Sequence, residues 1–407
     1  MKLKKYKLGE LIEVTRGASL SGEYYATQGE YIRLTCGNFD YHNNCFKENK
    51  SKDNIYYVGK FRDEFLMEEG DIITPLTEQA VGLLGSTALI PESGKYIQSQ
   101  DVAKITCNEK LLDKKFAFYL ISSSLVKQQL SAAAQQTKIR HTSPDKIKDC
   151  VVWIPEMSEQ RLIGTLLSTI DQKISLNRQV NHYLEAMAKQ LYDYWFVQFD
   201  YPDAEGKPYK SSGGKMVWNE KLKREIPEGW DVVSVGDILD GYPTTKKYET
   251  KEYQPSGLYP IIDQGDQYIV GYTNEDSNLL NRLPAVLFGD HSTKVKLLDF
   301  PFARGADGTQ ILYSNTDRIQ QYYLYHAVLS MQIPNPGYSR HFKYLKEMPI
   351  IKPDLDIAQK FDKTVTPIYK KWTALIHEIN DLSKQRDELL PLLMTGQVSV
   401  TPLNNDL

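Results

Sequence analysis

The stretch Lys223–Leu239, "KREIPEGWDVVSVGDIL", decides the architecture. Its Pro-Glu-Gly-Trp turn breaks whatever precedes it, and the alternating apolar residues that follow have the period of a strand. This is how a domain opens, yet it lies past the middle of a chain of 407 residues. The N-terminal "KYKLGELIEVTRG" has a similar pattern, with Leu8-Gly9-Glu10 opposite Val235-Gly236-Asp237, 227 positions on. The chain begins twice.

Further self-similarity supports a tandem duplication. "IKDCVVWIPEMSEQRLIG" from Ile147 resembles "LKEMPIIKPDLDIAQKFD" from Leu345, and Gln160 matches Gln359 at an offset of 199. Arg140-His141 matches Arg340-His341 at an offset of 200. Drifting offsets are what loops of unequal length produce. Each copy has a globular part with short strand-like runs such as "EYIRL", "GDIITPL", "PAVLFGD" and "TQILY". A long helix follows it. The segments expected are a globular domain over 1–157, a helix over 158–198, a linker over 199–224, a second globular domain over 225–355, a second helix over 356–396 and a tail over 397–407.

In the first helix Ile163, Leu166, Ile170, Lys173, Asn177, Val180, Leu184, Met187, Leu191 and Tyr194 alternate at spacings of 3 and 4, a heptad seam. The second helix offers Asp362, Val365, Tyr369, Trp372, Ile376, Ile379, Ser383, Arg386, Leu390 and Leu393, with polar interruptions. Pro367 either kinks it or marks its first turn. Each helix would span roughly 50 Å. An amphipathic helix lying on its own domain would give the same periodicity. Duplication favours instead two helices packed antiparallel, a pseudo-two-fold particle with a head at each end. The fold class expected is α+β: two mixed α/β domains separated by two long antiparallel coiled-coil helices.

Hydrophobic content of 41% and charged content of 25% describe an ordinary globular protein. No apolar run approaches the length of a membrane span, and no secretory h-region follows the basic "MKLKKYKLGE", so the cytoplasm is the expected compartment. Cys36, Cys45, Cys107 and Cys150 lack paired zinc spacing and read as reduced thiols. A net charge of −3 argues against a uniformly basic nucleic-acid binder but leaves room for local basic faces.

Two different heads held at a fixed distance form a spacing device. DNA rewards one, because its helical repeat makes half-site separation a geometric requirement. The central "AKQLYDYWFVQFDYPDAEGKPYKSSGGKMVWNEKLKREIPEGWDV" (188–232) resembles the central region of the specificity subunit of type I restriction–modification systems. So do the ending "QRDELLPLLMTGQVSV" (385–400), "TEQAVGLLGSTALIP" (77–91) and "FGDHSTKVKLLDFPFARGADGTQIL" (288–312). The resemblance covers essentially the whole chain in order. It implies two target recognition domains, an asymmetric bipartite site on double-stranded DNA with a non-specific spacer, and no catalytic activity or cofactor. It also implies two methyltransferase (modification) subunits and restriction (motor–nuclease) subunits as partners, with no membrane association.

A self-contained methyltransferase reads poorly. "NPGY" at Asn335–Tyr338 replaces the second proline of a base-flipping loop by glycine and follows a helix-like run, and "VGLLG" at Val81–Gly85 has too few glycines for a cofactor fingerprint. A protein-binding scaffold that no longer reads DNA stays open. No histidine spacing suits a metal, and "PESGK" at Pro91–Lys95 is a weak match to a nuclease motif.

Phosphate contacts need Lys or Arg, and base edges need Arg, Lys, Asn, Gln, Glu or Asp on positioned loops. Lys138, Arg140 and His141 in the first copy and Arg340 and His341 in the second stand at matching places. They are either DNA-facing or a structural joint between domain and helix. Glu78 and Gln79 in "TPLTEQA", and His291, Thr293 and Lys294 in "FGDHSTKVK", follow strands on polar loops. Lys246 and Lys247 are candidate phosphate contacts, and a solvated basic face is the plain alternative. Tyr192, Tyr194, Trp195, Phe196 and Phe199 form an aromatic cluster that is either a core plug or, as the resemblance favours, a methyltransferase contact.

Overall fold

The computed structural model describes residues 2–401 apart from 42, 51–52, 79–81, 134–139, 242–244, 307, 335–339 and the side chain of Arg140. The chain forms two compact units, Met1–Ser175 with Asn380–Leu407 and Leu176–Ile379. Both long helices contribute to both units. No described helix is long and apolar enough to cross a membrane.

Each unit is closed by the same strand pair. In the first, Lys4–Lys7 runs antiparallel to Val151–Ile154, and in the second Asp231–Ser234 runs antiparallel to Pro349–Lys352. The residues after each opening strand also correspond. Leu8 N–H donates to Cys150 O at 2.8 Å, and Val235 N–H to Met348 O at 2.9 Å. The glycine that follows lies against a lysine in each: a Cβ at Gly9 would come within 3.0 Å of Lys148 Cβ, and one at Gly236 within 3.1 Å of Lys346 O. A carboxylate three residues on closes the turn, with Lys7 N–H donating to Glu10 and Ser234 N–H to Asp237. The two beginnings are one structural motif used twice.

The first unit has an antiparallel sheet ordered Ala88–Leu89, Ile72–Pro75, Val102–Cys107, Ile12–Arg16, and a second sheet built round Tyr31–Arg33. The second unit has Val295–Leu298, Ala285–Gly289 and Thr309–Leu312 in one antiparallel sheet. Its other sheet includes Tyr259–Ile262 and Ala303–Gly305. The central strands read "IITP" and "AVLFG" without alternation because both faces are buried.

The helices are Met157–Tyr192, continued by a wider turn Asp193–Val197, and Leu355–Met394. Pro367 therefore lies inside the second helix and not in its first turn. The heptad register needs a correction. The buried positions of the first helix and its continuation include Ile163, Leu167, Ile174, Asn177, Asn181, Ala188, Tyr192 and Trp195, with Ile170 and Leu184 half-buried between them. The seam thus alternates 4 and 3 from Ile163 to Ala188. Leu166, Lys173, Val180 and Met187 sit one residue off it, and Met187 is 53% exposed. Apolar periodicity selects Val180 and Met187, whereas the fold buries Asn181 and Ala188. In the second helix Val365, Tyr369, Arg386 and Leu393 are buried as the heptad expects.

Within the first unit the start of the first helix meets the end of the second: Arg386 Nη1 lies 2.8 Å from Asp171 Oδ1. Leu393 and Met394 share a core with Leu8, Leu11, Phe116, Leu120, Ile163 and Leu167. Within the second unit the end of the first helix meets the start of the second, with Phe196 and Phe361 rings 4.9 Å apart. In both units the helix segments run antiparallel.

Candidate nucleic-acid interface

In the second unit the strand Ala285–Gly289 ends in the turn Asp290–Lys294. Gly289 is required there, because a Cβ would stand 2.2 Å from Ser292 Oγ. Thr293 is left-handed at φ 56°. Asp290 is buried, and its carbonyl accepts the His341 N–H at 2.8 Å and faces His341 Nδ1 at 2.9 Å, so that nitrogen carries the proton. Its carboxylate accepts the Phe342 N–H at 2.8 Å. The two candidate loops of this copy are therefore one structure.

The first unit repeats the convergence. Thr77–Glu78 pairs with Arg140–His141, Arg140 opposite Glu78 and His141 opposite Thr77, and Thr142 N–H donates to Leu76 O at 2.9 Å. Glu78 is buried and its Oε1 accepts the Gly82 N–H at 2.8 Å. Gln79, Lys138, the Arg140 side chain and the "NPGY" segment lie outside the described residues.

The matching Arg-His pairs face differently. His341 is 3% exposed and acts as a staple between loops, which corrects its expected place among DNA-facing residues, while its neighbour Arg340 is exposed. In the first unit His141 is exposed. The backbones explain this. Arg140–His141 is a short strand, whereas His341 stands at the N-terminal cap of the helix Phe342–Glu347. Glu78, also buried, is a loop-holding residue.

The remaining cations divide in the same way. Lys247 is exposed. Lys246 is ion-paired with Glu252 at 2.9 Å and Glu275 at 3.4 Å, and the hydrogen bond to Glu252 leads in holding its pKa up. Lys294 is ion-paired with Asp266. His291 is exposed beside it.

A third loop, which sequence reasoning missed, completes each site. In the second unit Gln264 Oε1 accepts the N–H groups of His291 at 2.9 Å and Ser292 at 3.3 Å. In the first, Cys36 Sγ lies 2.9 Å from Thr77 Oγ1. Burial pushes the Cys36 pKa up, so the thiol stays protonated. Cys36-Gly37 and Gln264-Gly265 occupy corresponding places, and the shared glycine was the only signal available.

The aromatic cluster is a core plug. Tyr192, Trp195, Phe196 and Phe199 are buried within the second unit, and Tyr194 is half-buried. Phe196 packs 4.5 Å from Tyr323, Tyr192 stacks 5.2 Å from His326, and Phe199 meets Trp230 of the Pro-Glu-Gly-Trp turn at 5.8 Å. Closed in their own core, these rings are not a surface for another subunit. The exposed apolar face of this helix is instead Leu176 (55% exposed), Tyr183 (69%) and Met187 (53%), with half-buried Val180 between them. They stand at i, i+4, i+7 and i+11, one stripe of the helix.

The family model of the type I restriction modification DNA specificity domain matches twice, over residues 2–186 and 227–384. The chain belongs to this family. It is 25% identical over 312 residues to the type I restriction enzyme MjaIX specificity subunit of Methanocaldococcus jannaschii, covering 71% of this chain and 70% of that one. It is also 25% identical over 344 residues to the MjaVIII specificity subunit of the same organism, covering 76% of each. The crystal structure of the type I restriction–modification S subunit from M. genitalium shares the fold, with a TM-score of 0.60 at 17% identity over 97% of this chain and 96% of that one. Two specificity domains in one chain account for the double opening.

Proposed function

We propose that the chain reads an asymmetric bipartite DNA sequence with a fixed non-specific spacer and holds the methyltransferase and restriction subunits of its complex on that site, without catalysing a reaction itself. One observation carries this: both units bring together the same three loops, at 35–38, 76–78 and 140–142 in the first and at 263–266, 289–294 and 340–342 in the second. The framework recurs while the loop residues differ, which suits two half-sites of different sequence. His141, Lys247, His291 and Arg340 are the exposed residues offered to phosphates and base edges. Two methyltransferases, one per repeat, would each flip and modify an adenine in its half-site, as the family resemblance implies. The stripe Leu176–Tyr183–Met187 is offered to such a partner.

The test is methylome mapping of cells carrying the chain with its methyltransferase partner, with and without this gene. A bipartite motif that loses methylation on deletion supports the reading; an unchanged methylome rejects it.

A further inference from the structure

We infer that Gln264, braced by Lys296, is the positioning residue that fixes the reading loop of the second unit and so sets the base discrimination of its half-site. This rests on the proposed reading of DNA.

Gln264 makes three bonds to consecutive loop residues: its Oε1 accepts from His291 N–H at 2.9 Å and Ser292 N–H at 3.3 Å, and its carbonyl accepts from Ser292 Oγ at 2.8 Å. Thr293 then turns into the left-handed region, at φ 56°. Two glycines let the clamp close. A Cβ at Gly289 would lie 2.8 Å from Gln264 Cβ, and one at Gly308 would lie 2.5 Å from Gln264 Nε2 and 2.7 Å from His291 Cδ2. Packing this tight leaves the loop one arrangement, and it presents the exposed His291.

Lys296 holds the clamp from below. It is 7% exposed, and its Nζ donates to Asp263 O at 2.8 Å and Gln267 O at 2.6 Å, the two ends of the turn that carries Gln264. Burial lowers its pKa to about 8, and both bonds survive loss of the proton because a neutral amine keeps two N–H donors. Lys296 also lines a cavity of about 480 Å³ with Gly265, Asp266, Thr293 and Lys294. That space lies beside the loop, so without the lysine the loop has room to rearrange. A rigid loop discriminates because a wrong base leaves a fixed polar group unpaired, whereas a loose loop adapts.

The test uses the full chain in complex with its methyltransferase partners. Methylation rates are measured on duplexes carrying each single-base change in either half-site. The half-site of the second unit is the one that changes when residues 225–355 are exchanged. Gln264→Leu removes the acceptor, Gln264→Glu keeps it, and Lys296→Met removes the brace. Gln264→Leu and Lys296→Met are expected to lower discrimination at that half-site by about tenfold. The other half-site is expected to be unaffected. Gln264→Glu keeps the wild-type ratio, although its added charge slows all duplexes alike. Should Gln264→Leu fail to fold, Lys296→Met carries the same comparison. Equal loss at both half-sites, unchanged discrimination, or Gln264→Glu behaving as Gln264→Leu overturns the inference. A wild-type complex that discriminates nowhere overturns the DNA reading itself.

Discussion

Arg386 and Asp171, 215 positions apart, form an ion pair at 2.8 Å in which the arginine is buried and the aspartate half-buried, and the Tyr119 hydroxyl donates to the same carboxylate at 2.6 Å. Three elements of the first unit thus meet on one charge: the domain helix Lys114–Ile121, the start of the first long helix and the end of the second. Arg386→Leu leaves Asp171 without its counter-charge and is expected to cost ~2–4 kcal/mol in urea unfolding. Asp171→Asn keeps an acceptor for Tyr119 and should cost less. Equal costs would show that the charge is not what matters there.

Asn177 and Asn181 are buried on the seam, and among the described residues Asn177 Nδ2 and Asn181 Oδ1 have no hydrogen-bond partner. Asn177→Leu should raise stability by ~1–2 kcal/mol, because an unsatisfied buried amide is replaced by an apolar group. Calorimetry would read this as a melting temperature higher by a few degrees. A lower melting temperature would contradict the unsatisfied state of the amide.

His326 is buried in the second unit, its Nε2 2.6 Å from the Tyr369 hydroxyl and its ring stacked on Tyr192. Burial lowers its pKa from 6.5 to about 4; Asp193 opposes the shift and Lys189 adds to it. The folded state therefore binds this proton less readily than the unfolded state. The stability that follows is fully present above pH 6.5 and is lost as pH falls toward 4, by ~2 kcal/mol at pH 5. His326→Gln should flatten this part of the pH–stability curve.

On the first long helix the exposed stripe proposed for docking is separate from the residues that fill the core. Tyr183→Glu with Met187→Glu should weaken methyltransferase binding at least tenfold in titration, with the melting temperature within a few degrees of wild type. Phe196→Ala should cost ~3–5 kcal/mol of stability by opening a cavity among Tyr323, Phe361 and Trp230. If the stripe variant binds as wild type does, the docking face lies elsewhere.

Arg340 and Lys247 are expected to touch phosphates. Each alanine variant should lower the slope of log affinity against log salt by about 1 and weaken all sequences alike. His341→Ala should act differently, lowering stability and discrimination together, since it removes a bond to Asp290.

The duplication, the strand–helix order and the long helices were legible because each rests on local pattern: Leu8-Gly9-Glu10 against Val235-Gly236-Asp237, or apolar residues at helical spacing. What failed was direction. Whether the His of an Arg-His pair points in or out depends on whether its backbone is strand or helix cap, as His141 and His341 show. The seam register failed because its choice is between a polar Asn181 and an apolar Val180, and burial by neighbouring elements overrode polarity. Gln264 was invisible because its partners His291 and Ser292 are reached only through the folded sheet.

The core that holds Leu8, Leu11 and Phe116 also contains Leu393 and Met394. A ribosome delivers Leu393 and Met394 roughly 280–390 residues after the others. At typical elongation rates the gap is roughly 15–80 s. The first unit is therefore completed only after the whole of the second, Leu176–Ile379, has been synthesised, and until then part of its core stays uncovered.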